Sequence, residues 1–404
     1  MLAGRALPLF RSMQKRTDRI NQIMRETLSG MRVIRAFVWT GYEEKRFDVA
    51  NVELTDDSLR VSHLFSVVMP LLLASANLST VVVVWFGGLR IDGGQMPIGN
   101  LTAFLLYMTQ ILYALLMGVF ASVMVPRAAA AAERIQAVLE TEPDLCDPET
   151  PASVADAKGL VEFLDVEFRY PGAEDSVLRG ISFVAEPGKT TAIVGGTGSG
   201  KTTLVNLVSR FYDVTSGCVT IDGIDVRSMR QEDLWHLIGV VPQKAYLFSG
   251  SVASNLRYGD ETASDHDLWR ALDTAQARDF VTDMEAGLGG EIDQGGTNVS
   301  GGQLQRLAIA RAIVKRPRVY IFDDSFSALD FKTDQKLRAA LRAETRDAAV
   351  IIVAQRVGTI MRADQVVVLE SGSIVGKGTH DELMKACETY REIVSGQLSR
   401  EEVA

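Results

Sequence analysis

Cysteine is scarce in this chain. Its 404 residues include three, Cys146, Cys218 and Cys387, odd in number and far apart. They form neither a disulfide framework nor a metal-ligand spacing, and they fit a reducing compartment. Histidine is equally sparse: there are four, with no pair at i, i+4, which removes the helical zinc-hydrolase motif. Basic residues are in deficit, 42 Lys and Arg against 51 Asp and Glu, a net charge of −9. That balance argues against a nucleic-acid binder, whose phosphate contacts need a basic surface. No apolar stretch follows Met1, so the start is not a signal peptide. Disorder on a large scale is excluded as well, because 47% of residues are hydrophobic and 23% charged. The length suits two or three domains. The mean hydropathy, +0.09, is high for a soluble protein and implies that apolar residues are concentrated somewhere.

They are concentrated in two charge-free runs. The first covers residues 64–89, LFSVVMPLLLASANLSTVVVVWFGGL, and the second residues 93–126, with the apolar core IGNLTAFLLYMTQILYALLMGVFASVMV. A spanning helix needs roughly 20 apolar residues, and both runs exceed that. Buried helices of a soluble core are seldom this long without a charge. The runs therefore predict membrane helices at about 62–89 and 98–126, joined by the short connection Arg90, Ile91, Asp92 and GGQMP. Eleven Lys and Arg lie between Arg5 and Arg60, Arg127 and Arg134 follow the second run, and only Arg90 lies in the connection. The positive-inside rule then places both ends in the cytoplasm. Pro70 is tolerable within a membrane helix. Asn77, Tyr107, Gln110 and Tyr113, with Met108, Met117 and Met124, suit either a cavity lining or helix packing and lipid contact. Residues 141–157 begin a stretch, TEPDLCDPETPASVADAK, with three prolines and five acidic residues, and read as a linker. The division is thus a partial transmembrane domain at 1–140 (charged intracellular segment 1–60), a linker at 141–157, and a second domain at 158–404.

The second domain has a βα pattern. Residues 160–170, LVEFLDVEFRY, alternate as a strand. A short apolar strand at 190–194 runs into Gly195-Gly196-Thr197-Gly198-Ser199-Gly200-Lys201-Thr202, with a helix expected from Thr203. This is G-x-x-x-x-G-K-[ST] between a strand and a helix, the context the motif requires. Its glycines let backbone N–H groups curl round phosphates, and the helix N-terminus adds a favourable dipole. Lys201 would reach the β- and γ-phosphates of ATP, and Thr202 would bind Mg²⁺. A second apolar strand, VYIF at 319–322, ends in Asp323-Asp324. An acidic residue there is the second Mg²⁺ anchor of P-loop enzymes.

Val299-Ser300-Gly301-Gly302-Gln303, followed by LQRLAIARA, resembles the signature motif of ABC ATPases. It lies 98 residues after Lys201 and shortly before Asp323. Gln243 in VVPQKAYLF resembles the Q-loop, Ser327-Ala328-Leu329-Asp330 the D-loop, and Tyr170 in FRYPG the aromatic residue that stacks on adenine. Five motifs in order across residues 158–390 identify an α/β P-loop ATPase with a helical subdomain. The N-terminal part is similar to the α-helical transmembrane domain of exporter-type ABC half-transporters. RINQIMRETLSGMRVIRAFVWTGYEEKRF resembles their second intracellular loop, with a coupling helix around residues 36–44 that plugs into the partner's ATPase domain. The two apolar runs correspond to the fifth and sixth of six membrane helices. The resemblance thus implies that four helices precede this sequence.

The resemblance further implies that two ATPase domains dimerise head to tail. Each ATP lies between one chain's P-loop, with Thr203 beside it, and the other's Ser300-Gly301-Gly302-Gln303. Gln243 would join Thr202 and Asp323 at the Mg²⁺. Two positions depart from the family pattern. The usual residue after the Mg²⁺ Asp is Glu; here it is Asp324. A base must stand within hydrogen-bond reach of its water, and a carboxylate drawn back by roughly 1 Å can cost about 10²-fold in rate. The family's switch histidine is here Gln355, which can donate to a γ-phosphate but cannot carry an imidazole's charge. The expected protein is therefore an ATP-binding/permease subunit of an ABC exporter in a bacterial inner membrane. Its own site would be degenerate and its signature would serve the partner half-transporter of a heterodimer. The alternatives are a slow homodimeric exporter and a non-catalytic, nucleotide-binding regulatory subunit. The membrane hairpin argues against a soluble chromosome-maintenance ATPase and an importer ATPase. Asp293-Gln294-Gly295-Gly296 lies where exporters carry an acidic loop. The terminal REIVSGQLSREEVA reads as a solvated helix.

Overall fold

The computed structural model describes residues 2–152, 156–354 and 356–401. The chain forms two compact units, Met1–Glu142 and Pro143–Ala404.

The first unit is helical: α1 (Leu2–Ser29), α2 (Met31–Ala36), α3 (Thr40–Asp92) and α4 (Ile98–Leu139). Ion pairs set the register of α1 against α3. Arg46 meets Glu26, and Arg16 meets both Glu53 and Asp57, so numbers rise along one helix as they fall along the other. Between these pairs Ile23 and Ala50 are buried. The helices are antiparallel and α2 forms their tip. In the segment expected to carry a coupling helix, around residues 36–44, residues 37–39 are a turn, and a short helix lies earlier, at Met31–Ala36. Helix α3 runs unbroken through Pro70 for 53 residues, roughly 80 Å at 1.5 Å per residue. Among the described residues, the stretches long and apolar enough to span a membrane are Leu73–Asp92 and Ile98–Gly118. Where α3 and α4 converge, Gly87 permits close packing, since a Cβ there would lie 2.5 Å from Leu101 Cδ1.

The second unit runs β1 (Val161–Phe168), β2 (Leu178–Ala185), β3 (Thr190–Gly195), α5 (Lys201–Val208), β4 (Ser216–Ile221), β5 (Ile224–Asp225), α6 (Gln231–Leu237), β6 (Ile238–Val241), β7 (Gly250–Ser251), α7 (Val252–Arg257), α8 (Asp265–Thr274), α9 (Arg278–Thr282), β8 (Glu291–Ile292), α10 (Gly301–Lys315), β9 (Val319–Asp323), α11 (Phe331–Glu344), β10 (Ala349–Val353), α12 (Val357–Ile360), β11 (Gln365–Glu370), β12 (Ser373–Gly378), α13 (His380–Ala386) and α14 (Glu388–Glu401). One sheet is antiparallel, in the order β2-β1-β4-β5; the other, β12-β11-β3-β10-β9-β6, is parallel except for β12. Strand β9 is buried along its length, so VYIFD reads as an apolar run rather than an alternation. Tyr320 and Phe322 pack with α8 and α10, and Val319 and Ile321 pack toward the antiparallel sheet. Because β3, β10 and β9 are parallel, their C-terminal ends share one sheet edge, where open α/β sheets bind ligands.

Two surface expectations change. The stretch read as a linker is tied to the second unit: Arg210 donates to Cys146 O at 3.0 Å, and Gln231 N donates to Asp147 Oδ1 at 2.8 Å. Helix α14 is not simply solvated, since Tyr390 and Val394, four residues apart, are buried in the core.

Candidate active site

At the edge formed by β3 and β9, the loop of residues 195–200 leaves the sheet and α5 begins at Lys201, two residues before the expected start. Gly200 caps this helix at φ 97°, a left-handed conformation that favours glycine, and a Cβ there would lie 2.6 Å from Leu178 Cδ2. A Cβ on Gly195 would stand 2.2 Å from Leu369 O. Gly196 and Gly198 instead face open space, the room a phosphate chain needs. Thr197 and Ser199 lie on the same loop, with Ser199 buried beside Lys201. The Lys201 ammonium bends over the loop and donates to Gly195 O at 2.9 Å and Gly196 O at 2.6 Å. Burial pushes its pKa down, an effect partly offset by Asp323 and Asp324. A cation held mainly by carbonyls in a glycine cradle fits a polyphosphate.

Asp323 and Asp324 are buried and diverge. Thr202 Oγ1 donates to Asp323 Oδ1 at 3.4 Å, while Gln243 Nε2 donates to Asp324 Oδ2 at 3.2 Å. The divergence comes from the backbone: Asp324 sits at φ 46° just past the end of β9, with its N–H bonded to Val353 O. Aspartate is among the residues that tolerate this region. Burial pushes both carboxyls above the usual aspartate value. Thr202 and Asp323 offer the hard oxygens that Mg²⁺ prefers. Gln243, expected as a third Mg²⁺ ligand, is bonded here to Asp324. Gln355 lies outside the described residues.

Tyr170 stands at the rim. Its hydroxyl is 3.0 Å from Thr203 Oγ1, which fixes it to the first turn of α5. Its ring lies edge-on to Phe168 at 4.9 Å and to Tyr212 at 5.2 Å. Tyr212 was not singled out from sequence; the nearby aromatics in RFYDV were its only signal.

The signature residues form a separate exposed site. Ser300 and Gln303 close a capping box at the start of α10: Ser300 N donates to Gln303 Oε1 at 2.8 Å, and Gln303 N donates to Ser300 Oγ at 3.3 Å. Gly301 is exposed and a Cβ there would meet nothing; at Gly302 it would lie 3.3 Å from Ala328 O. Asp330 caps α11 through Thr333 N at 2.9 Å, and those bonds hold its carboxyl below the usual range.

A further surface escaped sequence reading. Tyr246, Phe248 and Tyr258 are exposed; Phe248 stacks on Tyr258 at 4.5 Å and meets Tyr246 edge-on at 5.3 Å. Gly295, in the turn expected as an acidic loop, packs against Tyr246. In the first unit, the tip residues Phe37, Val38, Trp39 and Tyr42 are also exposed.

Residues 178–327 match the family described as ABC transporter, and residues 1–115 match the ABC transporter transmembrane region. The chain is 50% identical to an ABC transporter ATP-binding protein of Mycobacterium tuberculosis over 97% of its own length and 68% of that protein. It is 36% identical to a fatty acid ABC transporter ATP-binding/permease protein of the same species, covering 97% of this chain and 62% of the relative. It is 33% identical to an ATP-dependent lipid A-core flippase of Vibrio vulnificus, with 95% and 66% covered. The structure of a bacterial Atm1-family ABC exporter with ATP bound superposes with a TM-score of 0.85 at 28% identity, covering 98% of this chain and 70% of that one.

Proposed function

The chain belongs to the ABC transporter family, and on that premise we propose that it is the slow-hydrolysing half of a two-chain exporter. Its membrane helices and ATPase domain are those of an exporter's ATP-binding/permease protein, with the ATPase on the cytoplasmic side.

The observation that carries the reading is the division of labour at the end of β9. Asp323 faces Thr202, and Asp324 faces Gln243. Lys201 and the loop N–H groups would bind the β- and γ-phosphates, with Tyr170 stacking on adenine. Thr202 and Asp323 would hold Mg²⁺, which when bound neutralises phosphate charge. Asp324 would take the proton from the attacking water, with Gln243 orienting its carboxylate. Its side chain is one methylene shorter than the family's glutamate, and Gln355 replaces the switch histidine. Binding groups are therefore complete, while both groups that act on the water and the γ-phosphate are altered. The exposed Ser300–Gln303 cap is free to approach a partner's ATP. A heterodimer with a partner carrying Glu and His follows.

The exposed aromatic tip of the first unit suits the aromatic surface around Phe248 on a partner's ATPase domain, which supports α2 and its turn as the coupling element. The relatives named for fatty acid and lipid A-core make amphipathic lipids the first cargo class to test, by their stimulation of ATP turnover.

The test is binding and cleavage measured in one sample. The full chain in lipid nanodiscs should bind a fluorescent ATP analogue with Mg²⁺ and release little phosphate, and Lys201→Ala should lose the binding. Rapid phosphate release by the chain alone would refute the slow-site reading.

A further inference from the structure

Arg356 makes two contacts that the functional reading has not used. Its Nη2 donates to Ser327 O at 2.7 Å and its Nη1 to Leu329 O at 2.8 Å. These carbonyls belong to residues two apart in the loop that leads from Asp324 to α11. One planar guanidinium therefore holds both, the paired geometry that distinguishes arginine from lysine.

The loop it grips is tied back to Asp324. Ser327 Oγ donates to Asp324 O at 2.9 Å, and Asp324 N donates to Val353 O at 3.1 Å. On its inner side the loop is anchored by Phe326 and Leu329, both buried. On its outer side Ser327, Ala328 and Asp330 are exposed, and Ala328 O lies close to Gly302 of the signature helix. Arg356 follows Gln355 in the chain, just after β10. The bonds it makes thus link the segment carrying the switch position to the loop that begins at the base position.

We propose that Arg356 is a positioning residue: its guanidinium fixes the loop of residues 324–330, so that the Asp324 carboxylate, the exposed face at Ala328 and the segment after β10 move as one piece. This rests on the exporter reading for its effect on hydrolysis, but not for its effect on the loop. Displacement of that carboxylate by roughly 1 Å is enough to slow catalysis about 10²-fold.

The experiment uses the full chain in nanodiscs, with its three cysteines replaced and a nitroxide attached at Ala328→Cys. With Arg356 present the spectrum should show an immobilised label. Arg356→Ala should lose that component, and Arg356→Lys, which cannot form the planar pair, should keep part of it. In parallel single-turnover assays, Arg356→Ala should lower the cleavage rate about 10²-fold with ATP affinity little changed, and Arg356→Lys should recover part of the rate. An unchanged spectrum in Arg356→Ala would overturn the proposal. So would a mobile label with an unchanged cleavage rate, or equal loss of binding and cleavage. If Arg356→Ala does not fold, Arg356→Lys and Arg356→Gln carry the same comparison. Failure of the exporter reading would show separately, as cleavage that survives Lys201→Ala, and would leave the label result standing.

Discussion

A Cβ at Gly195 would collide with the Leu369 carbonyl, and one at Gly200 with Leu178 in a left-handed backbone conformation. Gly200→Ala should therefore cost about 1–3 kcal/mol, seen as a lower midpoint in thermal unfolding, and should weaken nucleotide binding. Gly198→Ala meets no atoms, and its cost should come from its φ of 80° alone. The strand–loop–helix order around residues 195–200 was legible from sequence, though α5 starts at Lys201 rather than Thr203. The contacts of Tyr170 with Tyr212 and of Arg356 with Ser327 were not. They join residues far apart in sequence, and no local pattern encodes them.

At the scale of elements, the pairing of α1 with α3 depends on charges. Asp57 accepts from Ser12 Oγ at 2.6 Å and Arg16 Nε at 2.7 Å, and these partners hold its pKa below the ordinary 3.8. A depressed carboxyl contributes stability that is present above its unfolded pKa and lost as pH falls through its folded one. Wild type should therefore be more stable than Asp57→Asn near neutral pH, and the difference should vanish well below pH 3.8. Thermal unfolding of both proteins across that range checks it; a difference that persists in acid would contradict the sign. The short helix expected around residues 36–44 lies earlier, at Met31–Ala36. Phe37, Val38 and Trp39 look like the apolar face of a helix, but α2 ends at Ala36 and Val38 takes a φ of 56° in the turn. The spanning helices were legible because about 20 uncharged residues have few other uses. The terminal helix misled because the segment from Arg391 on has few apolar residues, and one of them, Val394, reaches the core.

For the whole molecule, the account requires two chains. Gly301 is exposed, and a side chain there meets nothing in this chain. Gly301→Asp should leave thermal stability unchanged, yet lower turnover of the two-chain assembly about 10²-fold by placing a negative charge where the partner's γ-phosphate would lie. Equal turnover would mean that this face serves no second site. The architecture was legible in the order of the motifs, whereas the partner lies outside any single sequence. On the proposed function, the site on this chain binds ATP fully but cleaves it slowly because of two residues. The most direct test is steady-state Mg-ATP turnover by the full chain in nanodiscs, as it stands and with Asp324→Glu plus Gln355→His. Binding should be tight in both, with slow turnover in the first and a rise of about 10²-fold in the second. Brisk turnover by the unaltered chain, with no gain from the two substitutions, would contradict the proposed function and leave a homodimeric exporter in its place.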